Sequence, residues 1–384
     1  WHRAAQLLRL ASKPIRPSEA GRLQTRRKRD LLAQVLLDET ARLADERGDP
    51  ARGSLHPCAP PVTLQPGTLD TLRTNLLEHP AIEAWGKLNQ EKLEPKEIET
   101  LKGKMKSAIY RLAGVGPHGS AVIAKRCLTA TALTERAIYK EILPSLPLPA
   151  LHCYGFVEDP DPQFRWLFLE DAGKEPYLPE LAEHRALASR WLGLLHTSAT
   201  HVAAAATLPD RGPDHYLTQL RLARDIMLRN LGHAGLAALD NIVSRCHFLE
   251  SNWVRVEKLC EGMPRTFVHG DFKEKNIRVR NSPDGMTLLP FDWEMAGWAL
   301  PAADMAKCPD AALYWSTVRQ HWPALNWEDI ERMTHVGAMF RLLASIYWEA
   351  VSLEFPSVEW SMNNLINLRN FDSRLANSIQ TLGL

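Results

Sequence analysis

His269-Gly270-Asp271-Phe272-Lys273-Glu274-Lys275-Asn276, followed by Phe291-Asp292-Trp293-Glu294, is the stretch from which the rest of the chain can be read. Between these segments Asn276 to Arg280 reads as a short strand, Asn281-Ser282-Pro283-Asp284-Gly285 supplies the usual turn formers, and Met286 to Phe291 reads as a returning strand. The resulting antiparallel hairpin brings Asn276 beside Asp292. Two hard oxygen donors then converge, which suits Mg²⁺, a cation that keeps several waters and takes one or two carboxylates. Asp271 lies five positions before Asn276, in the loop that enters the hairpin, where its carboxylate is placed to accept a proton from a hydroxyl.

The pattern HGDxxxxN followed by DWExxG resembles the aminoglycoside phosphotransferase and choline kinase superfamily, and the resemblance covers roughly residues 95 to 345. It implies an α+β, bilobal protein-kinase-like fold with a small antiparallel-sheet N-lobe and a larger, mainly helical C-lobe. It also implies ATP and Mg²⁺ and transfer of the γ-phosphate to a small-molecule hydroxyl. Asp271 would be the catalytic base, with Asn276 and Asp292 as metal ligands. The family's tail after the second aspartate is present as Gly297, Pro301 and Asp304, with a departure at Ala299-Leu300. Lys273 reads either as a catalytic contact to the transferred phosphate, as in protein kinases, or as a solvated loop charge.

Upstream, Ala121 to Cys127 is a compact apolar strand interrupted by Lys125, and a lysine there needs an anionic partner or an exit to water. Lys125 resembles the strand lysine that holds the α- and β-phosphates. Its expected partner is Glu135, followed at helical spacing by Tyr139, Ile142 and Leu143, with Glu141 as the competitor. Gly114-Val115-Gly116-Pro117-His118-Gly119 matches a dinucleotide fingerprint, but a strand follows it where that motif needs a helix, so it reads as a turn between strands. The expected phosphate loop is Gly103 to Ser107, between strands at Ile98–Leu101 and Ala108–Leu112, with the Ser107 hydroxyl facing phosphate. Arg165 to Leu169 reads as a strand running into Glu170-Asp171-Ala172-Gly173. By resemblance Glu170 and Ala172 are the adenine contacts of a hinge; a plain linker would look the same. Leu181, Leu187, Trp191, Leu194 and Leu195 then predict a core helix that ends near a structural His196.

Forty-five per cent hydrophobic residues over 384 positions suffice for a large core, and 46 basic against 45 acidic side chains predict no general affinity for nucleic acid or membrane. The six cysteines are scattered without C-x-x-C pairs, which suggests a reducing cytoplasm, and no apolar run of membrane-spanning length occurs. Residues 1–66 read as an extension: a basic patch at Arg26 to Arg29, an amphipathic helix over Asp30 to Ala44, then a proline-rich linker. Asp38, Glu39, Asp45 and Glu46 argue against a transit sequence, and a packing extension or homodimerisation arm is the better reading. The expected divisions are 1–66, an N-lobe over 67–171 and a C-lobe over 172–384.

Three classes remain. An ATP-dependent small-molecule kinase leads, its acceptor aminoglycoside-like, with choline-like, sugar or nucleoside acceptors as alternatives. A protein kinase is opposed by Gly270, Trp293-Glu294 and the lack of an A-P-E segment. A nucleotide-binding pseudokinase is opposed by the survival of Lys125, Asp271, Asn276 and Asp292 together. For an aminated acceptor the chain offers the carboxylates Glu294, Asp304, Glu349, Glu354 and Glu359, and the aromatics Trp298, Trp315, Trp348 and Trp360.

Overall fold

The computed structural model describes residues 71–89, 94–104, 107–230, 239–283, 285–306, 308, 310–353 and 358–384. The extension expected over 1–66 lies outside them. Packing divides the chain into one unit of residues 62–215 with 257–338 and another of 216–256 with 339–384.

The first unit opens with β1 (Thr71–Leu72), α1 (Pro80–Gly86), β2 (Glu97–Lys104), β3 (Ser107–Ala113), β4 (Val122–Leu128), α2 (Thr129–Ala137), β5 (Cys153–Glu158) and β6 (Phe164–Glu170). The strands form a six-stranded antiparallel sheet in the order β1-β2-β3-β4-β6-β5. Strand alternation separates two faces. Ile98, Leu112, Val122, Ala124, Trp166 and Phe168 pack against Ala81, Ile82 and Trp85 of α1. Pro80 at the first helical position and the His79 ring, which accepts from the Ala81 N–H at 3.2 Å, start that helix. The opposite face carries Ile123 and Lys125 on β4, paired in register with Arg111 and Ile109 of β3.

Two boundaries differ from expectation. β2 continues through Gly103 and Lys104, and β3 begins at Ser107, which pairs with Lys104 and with Cys127. Ser107 is therefore a ladder residue at the edge of the turn, and its Oγ is buried without a partner among the described residues. Ladder pairing extends past a bulge near Leu101 into residues whose composition reads as a turn. Gly114 to Gly119 does join β3 to β4.

The chain continues through α3 (Ala182–Ser198), α4 (Pro213–Asn230), α5 (Asp240–Ser251), α6 (Trp253–Cys260), β7 (Thr266–Val268), β8 (Ile277–Ser282), β9 (Gly285–Pro290), β10 (Gly297–Ala299), α7 (Ala302–Met305), α8 (Ala311–Val318), α9 (Trp327–Ser352) and α10 (Val358–Thr381). A sheet part followed by a mainly helical part is the α+β kinase-like architecture expected. α3 buries Ala188, Trp191, Leu192 and Leu195, whereas Leu181 and Leu194 are exposed. Leu181 precedes the helix, and Leu194 falls at the rim of a stripe centred between Trp191 and Leu192. In the second unit Tyr216 stacks on Phe340 with ring centroids 4.1 Å apart, and Arg245 of α5 pairs with Asp372 of α10 at 2.7 Å. Among the described residues no helix is long and apolar enough to cross a membrane, and the five described cysteines are unpaired.

Candidate active site

The hairpin closes three residues tighter than the turn composition suggests, because Asn281, Ser282 and Gly285 join the ladder. β8 and β9 run in register from Ile277 opposite Pro290 to Ser282 opposite Gly285. Asn276 sits just before the hairpin, in a short 3₁₀ turn, and its carbonyl accepts the Phe291 N–H at 3.0 Å. Asn276 and Asp292 thus flank the open end of one hairpin. Asp292 has φ 68° and ψ 63°, a left-handed conformation uncommon outside glycine that turns its carboxylate toward the sheet. Trp293, buried behind it, stacks on Phe267 of β7 at 5.4 Å and tilts against His269 at 4.5 Å, so the residue after Asp292 anchors the turn in the core.

Lys125 is 4% exposed, and its Nζ lies 2.7 Å from Glu135 Oε1 and 2.6 Å from Asp292 Oδ1. Burial pulls the lysine's pKa down, but the two carboxylates outweigh it and hold the pKa well above the ordinary value. The same contest divides the carboxylates. Burial raises the pKa of Glu135 despite Lys125, whereas for Asp292 the lysine's charge and hydrogen bond overcome burial and hold it low. Glu141, the competing partner, is exposed.

β7 delivers His269, Gly270 and Asp271. Gly270 has φ 74°, and a Cβ there would run into the Met295 carbonyl, so no other residue fits. His269 is fully buried, and burial holds its pKa below the ordinary value against the pull of Asp304. Its Nδ1 accepts the Asp271 N–H at 3.3 Å, so Nε2 is the protonated nitrogen that donates to the Phe291 carbonyl at 3.1 Å. Asp271 Oδ2 accepts from Asn276 Nδ2 at 2.9 Å, while Lys273 Nζ lies 2.5 Å from Oδ1. Asn276 Nδ2 also donates to the Asp271 carbonyl at 3.0 Å, so the amide's Oδ1 is the atom left to meet a cation.

Asp304 has a different part from the one its sequence position suggested. At 2% exposure it accepts the backbone N–H groups of His269 at 2.7 Å and Gly270 at 2.8 Å, with His196 Nε2 at 3.3 Å from the same carboxylate. His196 Nδ1 in turn meets the Tyr314 hydroxyl at 2.9 Å. Asp304 ties down the loop that presents Asp271, and it is not available to an acceptor. Asp304→Ala leaves these donors buried and unmatched, so a loss of about 3 kcal/mol or more is expected in urea unfolding, with Asp304→Asn only partly restoring it.

At the far end of β6, Glu170 is committed through its side chain to the His152 N–H at 3.0 Å and to Arg280 at 2.7 Å, which leaves only its backbone for a ligand; Ala172 is buried. Of the aromatics and acids that could face an acceptor, Trp315 packs edge-on to Trp327 at 5.9 Å and Glu349 is hydrogen-bonded by Asn367 at 2.9 Å. Glu294 and Trp348 are exposed, Trp298 pairs with Phe267 in the ladder of β10 and β7, and Glu354 and the side chains of Glu359 and Trp360 lie outside the described residues. Arg111 and Arg280, which sequence reading passed over, bond the Asp171 carboxylate and carbonyl in the segment after β6, and the Arg278 backbone bridges to Pro176 of the same segment. An arginine inside an otherwise apolar strand was the available signal.

The model of the phosphotransferase enzyme family, APH, matches residues 110–328 of this chain. No curated protein matches the sequence. Among solved structures, the GDP and kanamycin complex of APH(2'')-IIIa is similar at 11% identity and a TM-score of 0.55, covering 76% of this chain and 98% of that one. The ADP-bound aminoglycoside phosphotransferase APH(2'')-Ib is similar at 14% identity and a TM-score of 0.51, covering 76% and 98%. At these identities the likeness speaks for the fold.

Proposed function

The chain belongs to the phosphotransferase enzyme family, and from that premise we propose that it moves the γ-phosphate of a nucleoside triphosphate to a hydroxyl of a small molecule. The observation that carries this reading is Lys125, which joins the sheet, α2 and the hairpin through Glu135 and Asp292 in one buried cluster. Lys125 would hold the α- and β-phosphates, with Glu135 fixing its position. The donor set fits Mg²⁺: the Asn276 amide oxygen and the Asp292 carboxylate are hard ligands at the mouth of one hairpin, with room in the coordination sphere left to phosphates and water. Bound there, the metal supplies charge neutralisation on the phosphates. Asp271 would take the acceptor's proton, oriented by Asn276, and Lys273, paired to Asp271, would face the phosphate in transfer. The lobes would divide at 171/172, with Glu170 and Ala172 offering backbone groups to the base.

The acceptor we favour is an aminated, hydroxylated molecule of the aminoglycoside kind. A solved protein of the same fold carries kanamycin, and exposed Glu294 follows the metal-site aspartate closely. A nucleotide-consumption screen across aminoglycosides, amino alcohols, sugars and nucleosides tests this. Turnover with aminated acceptors is the expected result. Phosphorylation of neutral or anionic acceptors alone would refute the cationic acceptor and leave the phosphotransferase standing.

A further inference from the structure

Between α2 and β5 the chain changes its winding twice. Ile138–Ile142 is a π-helical turn, a form that is rare and found mostly at functional sites, and Leu143–Ser145 is a 3₁₀ turn. Pro144, Pro147 and Pro149 then carry the chain toward Cys153. A proline has no N–H to give and fixes its own φ, so this stretch cannot zip onto a neighbouring strand. It is held at its ends instead, by the Leu146 N–H on the Leu143 carbonyl at 3.1 Å and by His152, whose carbonyl accepts the Glu170 N–H at 2.8 Å and whose N–H goes to Glu170 Oε2 at 3.0 Å. Loop and helix end enclose a cavity of about 380 Å³. Its wall is apolar: Leu143, Leu146 and Leu151 are buried and Leu148 is half-buried. Lys140 and His152 are exposed and so stand at the mouth, and no carboxylate lines the cavity. Lys140 Nζ donates to the Cys153 carbonyl at 2.7 Å, a neutral acceptor that takes one of three ammonium hydrogens, and among the described residues no carboxylate pairs with it. The His152 ring packs edge-on to Tyr154 with centroids 4.8 Å apart and makes no hydrogen bond among the described residues.

We propose that this cavity binds a carboxylate with an apolar chain of about ten carbons, the chain lying against the leucines and the head group meeting Lys140 and His152. Size sets the length. At about 30 Å³ per non-hydrogen atom, the share of a water in its liquid, the space takes roughly a dozen such atoms, and it falls within the usual range of ligand pockets, about 300–1,000 Å³. Charge sets the head group. Lys140 supplies one full positive charge with two hydrogens still to give, which matches a singly charged carboxylate better than a doubly charged phosphate. An apolar wall alone would take any oil, but a cation at the mouth with no acid beside it selects an anion. None of the residues placed in catalysis lines the cavity, so the proposal stands apart from the phosphotransferase reading.

The test is calorimetric titration of the full chain with decanoate, octanoate and decanol, each at concentrations where it is monomeric. Decanoate is expected to bind saturably at one site. Octanoate, shorter by two methylenes, should bind about tenfold more weakly, and decanol, which has the chain without the charge, at least about tenfold more weakly. Lys140→Gln keeps a donor for the Cys153 carbonyl but removes the charge, so decanoate should fall to the level of decanol while decanol itself is unchanged. Leu148→Trp fills the cavity and should abolish saturable binding of both; the glutamine variant, at an exposed position, covers the case in which tryptophan disturbs the loop. No saturable decanoate binding, octanoate or decanol binding as tight as decanoate, or decanoate binding unchanged in either variant overturns the proposal.

Discussion

Asp271→Asn is expected to cut turnover by about 10²- to 10⁴-fold while the protein stays folded and keeps its nucleotide. The amide retains the size of the carboxylate and can still accept from Asn276 Nδ2, so the loop that Asp304 and Gly270 shape should hold. What it cannot do is take a proton from the attacking hydroxyl. It also gives up the ion pair with Lys273, 2.5 Å from Oδ1, but leaves Lys125, Asn276 and Asp292 in place, so nucleotide affinity should not fall. Single-turnover phosphoryl transfer separates the chemical step from binding, and calorimetry reports the nucleotide. A variant with near wild-type turnover would remove Asp271 from the role of base.

The legible parts of this site are those in which a local rule has one solution. A lysine in an apolar strand must find a carboxylate nearby, and Glu135 on the next helix lies 2.7 Å from it. Strand, turn and strand between Asn276 and Asp292 force the two residues to one end of a hairpin. What periodicity does not reach is long-range pairing. The 2.6 Å contact of Lys125 with Asp292 joins residues 167 positions apart, and Arg111 with Asp171 spans 60. Asp304 was visible as part of a motif, but its work on the backbone of His269 and Gly270 shows only when the loop is folded over it. Turn composition also misplaced Ser107, because cross-strand ladder bonds override the local preference of Gly103 and its neighbours.

Asp292 is the residue whose loss should be felt most in binding. Asp292→Ala removes the carboxylate proposed for the metal and places alanine at φ 68°, where a Cβ without a polar tip is strained, so a destabilisation of about 1–3 kcal/mol accompanies it. Asp292→Asn separates the two effects, because asparagine tolerates the left-handed region and still reaches Lys125 through its amide oxygen. Lys125 keeps the Glu135 carboxylate in either variant, so the small sheet should remain folded. The expected result for both is a loss of nucleotide affinity of at least about a hundredfold in the presence of magnesium, the scale of one lost charge-assisted contact in a buried site. In wild type, chelating magnesium should weaken the nucleotide; in the variants it should change little, because the metal no longer adds to binding. Unchanged affinity for the magnesium nucleotide in Asp292→Asn would show that the open end of the hairpin is not where the metal sits.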